Sequence, residues 1–212
     1  MLHFPSGASH IKEYQRYRAL ARKLADKIMK ALVDKTILDD AGRALGLFNG
    51  DTLVFDREED ISIMADFSIY EVRRHGKNMV QRYQEEIGGS NPTENDLLAG
   101  MVKAETGLFT VVRTMPTESQ TIMRSLVGER REITLTDIGF SHTLLSGLVV
   151  FVRPVETSKF TITSGIAFAF PHTMERELVL RWQGKRKVKH PTERYVTYYR
   201  LSKQKGLETR FM

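Results

Sequence analysis

The C-terminal part of the chain combines closely spaced cations with aromatic side chains. Four cations fall within five residues, and tyrosines and arginines are interleaved after them. Cations neutralise phosphates, and aromatic faces stack on unpaired bases. The pattern predicts contacts with RNA or single-stranded DNA. The candidate phosphate-binding residues are Lys185, Arg186, Lys187, Lys189, Arg194 and Arg200. The candidate residues for stacking on bases are Trp182, Tyr195, Tyr198 and Tyr199. The alternative interpretation is a flexible, solubilising tail with some residues docked on the protein.

A second basic segment lies near the N-terminus. Apolar residues recur there at three- and four-residue spacing, including Tyr14, Leu24 and Ile28, which predicts an amphipathic helix over residues 10–33. Its polar side is rich in cations, and the candidates for binding a nucleic acid are Arg16, Arg22, Lys23 and Lys27. A solvated face of a packed helix is the alternative interpretation.

The charge is unevenly distributed along the chain. The formal net charge is +6, but residues 10–35 carry +5, residues 181–212 carry +8 and the remaining residues 36–180 carry −7. Because long-range attraction follows local charge, a polyanionic partner is expected to contact the two ends of the chain.

Sequence patterns typical of catalytic sites are weaker than the basic segments at the two ends of the chain. Ser141 and His142 are adjacent, so their side chains diverge on an extended segment, although Asp137 and both of them could line one loop. The sequence shows no phosphate-binding glycine loop and no histidine spacing typical of metal ligands, and we expect neither a metal nor another cofactor. The alternative hypothesis is that the protein is an enzyme. It would then be a metal-dependent hydrolase or nuclease with scattered carboxylates in its site, and the candidates are Asp39, Asp40, Asp51, Asp66 and Asp137.

The elements that position these residues fall into a helical part and a β-rich part. Apolar runs separated by turn-forming residues predict five strands, at about residues 108–115, 121–127, 132–140, 148–152 and 159–170. Short connections between them predict an antiparallel meander, curled into a small SH3-like barrel or open and packed on helices. The fold class is therefore α+β, with N-terminal helices before the five-stranded meander.

Changes in composition divide the chain into three expected parts. These are a helical region with a small hairpin at residues 1–106, the antiparallel β module at 107–172 and the basic aromatic tail at 173–212. No apolar run approaches the roughly 20 residues of a membrane-spanning helix, and the chain has no cysteine. Both observations favour a cytoplasmic location.

Several short motifs between residues 36 and 170 resemble an uncharacterised family of bacterial proteins. They are Gly50–Asp56, Met64–Phe67, Ser125–Glu129, Thr136–Ser141 and Gly147–Arg153. Members of that family often carry a C-terminal SEC-C zinc motif, and the resemblance implies a shared fold more than an activity. Since this chain lacks cysteine, the SEC-C motif is absent, and a basic tail occupies its place.

The leading functional prediction is a non-catalytic protein that binds nucleic acid or a ribonucleoprotein through its basic termini. The second is a protein–protein adaptor in a larger bacterial assembly, with an acidic protein as partner. The third is the metal-dependent hydrolase or nuclease.

Overall fold

The computed structural model describes residues 7–184 and 191–207. Its helices are α1 Gly7–Leu32, α2 Lys35–Leu45, α3 Glu59–Tyr70, α4 Met79–Glu86, α5 Pro92–Lys103, α6 Ile138–Thr143, α7 Glu175–Gln183 and α8 Pro191–Lys205. The strands β1 Phe48–Asn49 and β2 Thr52–Leu53 form a hairpin. A separate sheet contains β3 Gly107–Met115, β4 Gln120–Ser125, β5 Glu132–Thr136, β6 Val149–Glu156 and β7 Thr161–Phe170.

The five-stranded sheet is antiparallel, with the strand order β5-β4-β3-β6-β7. Five antiparallel strands were predicted, but a simple meander was wrong because β6 pairs with β3 and not with β5. The connection of residues 137–148, which contains α6, carries the chain back to the middle of the sheet. Within the described residues β5 and β7 are the sheet edges and do not pair, so the sheet is not a closed barrel.

The two faces of the sheet bury different side chains. On β7, Phe168 and Phe170 pack against the helices, whereas Ala167 and Ala169 belong to a smaller core on the opposite face, as the alternating pattern predicts. The continuous apolar run of β6 is buried on both sides. Phe140 of α6 lies in the smaller core, so this short helix covers the second face of the sheet.

The helix α6 replaces the end of a predicted strand. The run of residues 132–140 was expected to stay extended, but the strand ends at Thr136. Asp137 is the N-cap of α6, and its carboxylate accepts a hydrogen bond from the backbone N–H of Phe140 at 3.0 Å. The capping residue therefore redirects the chain where the apolar pattern alone predicts a strand.

Helices α7 and α8 pack against the rest of the protein. Helix α8 places Tyr195, Tyr198 and Tyr199 in the same core as Phe67 of α3 and Phe151 of β6. The expected boundaries near residues 106 and 172 coincide with changes of secondary structure, but this core contains residues from all three expected parts. None of the described helices has the length and apolarity that crossing a membrane requires.

Candidate polyanion-binding face

Helix α1 has an apolar face and a cationic face on opposite sides. Tyr14, Tyr17, Leu24 and Ile28 are buried in the main core. At 100° per residue, five cations fall within an arc of about 60° on the other side and span about 27 Å along the axis. We call this set the basic stripe, and its members are Lys12, Arg16, Lys23, Lys27 and Lys30, all exposed.

Most of the basic stripe is electrostatically uncompensated. Within residues 7–184 and 191–207, only Lys27 of the five forms an ion pair, at 2.6 Å from Glu94 on α5. The hydrogen bond with Glu94 raises the pKa of Lys27, and the same bond lowers the pKa of Glu94. The four other members are exposed and form no ion pair within the described residues, so their charges are available to an anionic surface.

Contacts on the flanks of α1 hold the basic stripe in position. Arg18 donates a hydrogen bond from Nη1 to the backbone carbonyl of Thr163 on β7, at 2.5 Å. Tyr17 donates to the carboxylate of Asp96 on α5, and Lys159 pairs with Glu13. Because these contacts involve α5, β7 and the loop before β7, the helix cannot rotate about its axis without breaking them.

Three of the four cations predicted on α1 belong to the basic stripe. Arg22 is exposed but lies on the flank of the helix, beside Arg18, where it lines a cleft towards β7. The prediction did not include Lys12 and Lys30. Their positions four residues before Arg16 and seven residues after Lys23 follow the helical repeat, so the signal was present in the spacing.

The tyrosines predicted to stack on bases lie in the core. Tyr195, Tyr198 and Tyr199 are 2%, 1% and 0% exposed, so a base has no access to their rings. Their spacing of three and four residues places them on one face of α8, and this face packs on β6 and β7. The structure therefore contradicts a stacking role for these three side chains, because their apolar surface stabilises the fold.

Trp182 and the arginines of α8 have partners within the protein. The guanidinium of Arg194 lies 4.5 Å from the ring centroid of the half-buried Trp182, so it covers the indole that was predicted to stack on a base. Arg200 is exposed and donates to the backbone carbonyl of Ala44 at 3.2 Å. The predicted phosphate-binding residues Lys185, Arg186, Lys187 and Lys189 lie outside the described residues.

Two of the carboxylates considered for a metal-dependent enzyme, Asp40 and Asp137, have other contacts. Asp40 pairs with Arg74 at 2.8 Å, and Asp137 caps α6 and accepts from Tyr14. Ser141 donates to the backbone carbonyl of Ile138, within its own helix. In the part of the chain that the structure describes, no three histidine, aspartate or glutamate side chains are grouped in a way that would hold a metal ion.

Comparison with known proteins gives one match. The model of a family of unknown function (DUF7986) matches residues 8–212, which is nearly the whole chain. No curated protein and no solved structure matches. The match agrees with the resemblance to an uncharacterised family, while the association with SEC-C proteins stays a prediction.

Proposed function

The chain belongs to the DUF7986 family of unknown function, and we propose from its surface that it binds nucleic acid through the basic stripe of α1. The supporting observation is the row of five exposed cations on one rigidly held helix, of which four form no ion pair within the described residues. The predicted cytoplasmic location is part of this proposal.

The spacing of the basic stripe suits a phosphate backbone. Successive members are three to seven residues apart, which corresponds to about 4.5 to 10.5 Å along a helix axis. Double-stranded DNA carries phosphates about 3.4 Å apart per strand along its axis, so each cation can meet a different phosphate. Phosphate contacts carry no sequence information, and we therefore propose binding with little sequence preference.

The described residues favour contacts with the phosphate backbone over stacking on bases. The three tyrosines of α8 are buried and Trp182 is covered by Arg194, so α8 offers no aromatic platform. We therefore expect no preference for single strands over a duplex from this part of the surface. The cations between α7 and α8 remain proposed phosphate contacts in addition to the stripe.

Equilibrium binding to labelled single-stranded RNA, single-stranded DNA and duplex DNA tests the proposal. The decisive variant replaces Arg16, Lys23 and Lys30 by glutamine, because these three exposed side chains form no ion pair within the described residues. The control variant replaces Lys35, Lys103 and Arg176 by glutamine, which removes the same charge from exposed positions outside the stripe.

We expect the stripe variant to lose most of the affinity and the control variant to keep it. Equal losses would indicate a general charge effect and contradict the assigned face. Absence of binding to all three nucleic acids would contradict the proposed function. In that case, recovery of an acidic protein partner that resists nuclease treatment would favour the adaptor hypothesis.

A further inference from the structure

A cleft of about 360 Å³ opens between α1, α3, α5 and β7, on the flank of α1 next to the basic stripe. Its volume is within the range of small-molecule sites. Three half-buried alanines line it, Ala21 and Ala25 on α1 and Ala65 on α3, and their small side chains leave the space between the helices unfilled. Ile69 and Met101 are among the buried residues behind them. The cleft therefore presents mainly apolar surface to solvent.

The polar side chains beneath this surface have no access to the cleft. Both carboxylate oxygens of Asp66 are buried, and they interact with Arg153, Ser164 and Tyr195 inside the protein. The hydroxyl oxygen of Ser164 is buried as well. A ligand with many hydrogen-bonding groups would find few partners here, and unpaired polar groups are costly to bury. The walls of the cleft consequently favour a ligand with an apolar body.

A second apolar depression adjoins the first. Its volume is about 410 Å³, and Tyr14, Ala19 and Ile138 are among the residues that line it. Arg18 and Arg22 of α1 line both spaces. The two arginines therefore lie at the rim of the cleft, between two apolar surfaces.

The arginine pair at the rim is suited to an anion. Arg18 and Arg22 are one helical turn apart, and like charges at this spacing repel each other. Arg18 is held in place because Nη1 donates to the backbone carbonyl of Thr163 at 2.5 Å and Nη2 donates to its hydroxyl at 3.3 Å. In residues 7–184 and 191–207 neither arginine forms an ion pair, and Arg22 is exposed. Asp26 also lines the rim, so two cations stand there against one acid.

We propose that this cleft binds a free medium-chain fatty acid, with the acyl chain on the apolar walls and the carboxylate at Arg18 and Arg22. A carboxylate matches the planar donors of a guanidinium and offsets the repulsion between the two cations. The acyl chain needs no hydrogen-bond partner, and its burial removes apolar surface from water. Because neither arginine belongs to the basic stripe, the site does not depend on the function proposed for the stripe.

Isothermal titration calorimetry of the full chain with decanoate, decanol and decylamine tests the head-group assignment. The three molecules have the same chain length and differ in charge. We expect decanoate to bind about tenfold or more tightly than decanol, because a hydrogen bond to a charged group is stronger than one to a neutral group. Decylamine should bind most weakly, because the arginines repel it. Equal affinities for the three, or no binding of decanoate, would overturn the proposal.

A series of hexanoate, octanoate and decanoate tests the role of the apolar walls. Each added CH₂ group that is buried should raise the affinity by about fourfold. The same calorimetric titrations measure this dependence. An affinity that does not change with chain length would show that only the carboxylate is bound, and the assignment of the acyl chain to the cleft would be wrong.

Two variants connect the binding to the cleft. Ala25→Leu fills the space without changing the charge, so it should abolish decanoate binding, and its control is Ala31→Leu at an exposed position of α1 outside the cleft. Arg22→Gln should weaken binding by about tenfold, and its control is Arg176→Gln, also exposed. Both controls should bind like the wild type. If Ala25→Leu fails to fold, Arg22→Gln decides the question, and unchanged binding in either cleft variant would overturn the assignment.

Vesicles of phosphatidylglycerol distinguish a free fatty acid from a membrane lipid, which also has acyl chains beside an anionic group. The basic stripe attracts anionic surfaces in any case, so the wild type is compared with Ala25→Leu, and we expect both to sediment equally with the vesicles. Sedimentation lost only in Ala25→Leu would assign the cleft to a membrane lipid and contradict the proposal.

The stripe and the cleft can be tested separately. The variant with Arg16, Lys23 and Lys30 replaced by glutamine should bind decanoate like the wild type, because the cleft and its two arginines are unchanged. Loss of nucleic-acid binding in this variant and loss of decanoate binding in Ala25→Leu are therefore independent results, and either proposal can fail without the other.

Discussion

Helices α1 and α8 both bury tyrosines in the main core, yet their cations have different surroundings. In α1, the cations of the basic stripe point to solvent, and only Lys27 forms an ion pair within the described residues. In α8, Lys203 pairs with Asp56 and Asp60, and Arg200 donates to a backbone carbonyl. The comparison shows that a basic aromatic composition does not reveal which cations are available to a partner. Their availability depends on where they lie relative to the buried face of the helix and on the acids near them.

The largest effect that tests this contrast is expected from Tyr198→Ala. The ring of Tyr198 stacks on Phe151 with 4.6 Å between centroids, and its hydroxyl donates to the carbonyl of Leu178. Truncating a large buried aromatic side chain leaves a cavity and costs about 3–5 kcal/mol. Chemical denaturation should show this loss in the free energy of unfolding. A change near zero would place the ring at the surface and restore the stacking hypothesis.

A smaller effect is expected from Tyr199→Phe. The hydroxyl of Tyr199 donates to the carboxylate of Asp60 at 2.8 Å, and both residues are fully buried. Removing the donor from a buried acceptor costs about 1–3 kcal/mol. Thermal and chemical denaturation of the variant beside the wild type measure the difference. An equally stable variant would show that Lys203 alone satisfies Asp60.

The same hydrogen bond predicts a pH dependence. Burial alone raises the pKa of Asp60, but the hydrogen bond from Tyr199 and the charge of Lys203 outweigh it and lower the pKa below its ordinary value. A lowered pKa in the folded state stabilises the protein above the ordinary pKa of aspartate, about 3.9, and this stabilisation is lost as the pH falls through the folded-state value. Between neutral pH and strong acid, the stability of Asp60→Asn should therefore fall less than that of the wild type. If both proteins lost the same amount of stability between neutral pH and strong acid, the predicted role of Asp60 would be wrong.

The smallest effect on stability is expected from the basic stripe itself. Replacing Arg16, Lys23 and Lys30 by glutamine should change the free energy of unfolding by no more than about 0.5 kcal/mol for each substitution, because the side chains are exposed and unpaired. Denaturant titration of the variant measures this change. A large loss of stability would show that the stripe is part of the fold and not a free surface.

Sequence patterns predicted local structure well and long-range pairing poorly. The five strands and the helical region with its small hairpin before residue 107 were predicted from periodicity and from turn-forming residues. The pairing of β3 with β6 was not predicted, because strand order depends on which faces pack together and not on any local signal.

The prediction of the candidate sites had the same limit, because contacts between distant segments could not be predicted from local patterns. The cations of α1 were predicted because the apolar repeat of a helix indicates which side faces solvent. The burial of the tyrosines in α8 was missed, although their spacing of three and four residues is the same signal. Asp66 was considered only as one of several scattered carboxylates. Its burial beside Arg153, Ser164 and Tyr195 depends on segments that lie far from it in the sequence.

The salt dependence of nucleic-acid binding tests the central claim most directly. The slope of log K against log salt concentration for a duplex should decrease in magnitude by roughly 0.9 for each phosphate that the protein no longer neutralises, so by about 3 when Arg16, Lys23 and Lys30 become glutamine. The matched change on α8 replaces Arg194, Arg200 and Lys203, and we expect its slope to equal that of the wild type. The same slope in the stripe variant and the wild type, or a reduced slope only in the α8 variant, would contradict the assignment of binding to α1.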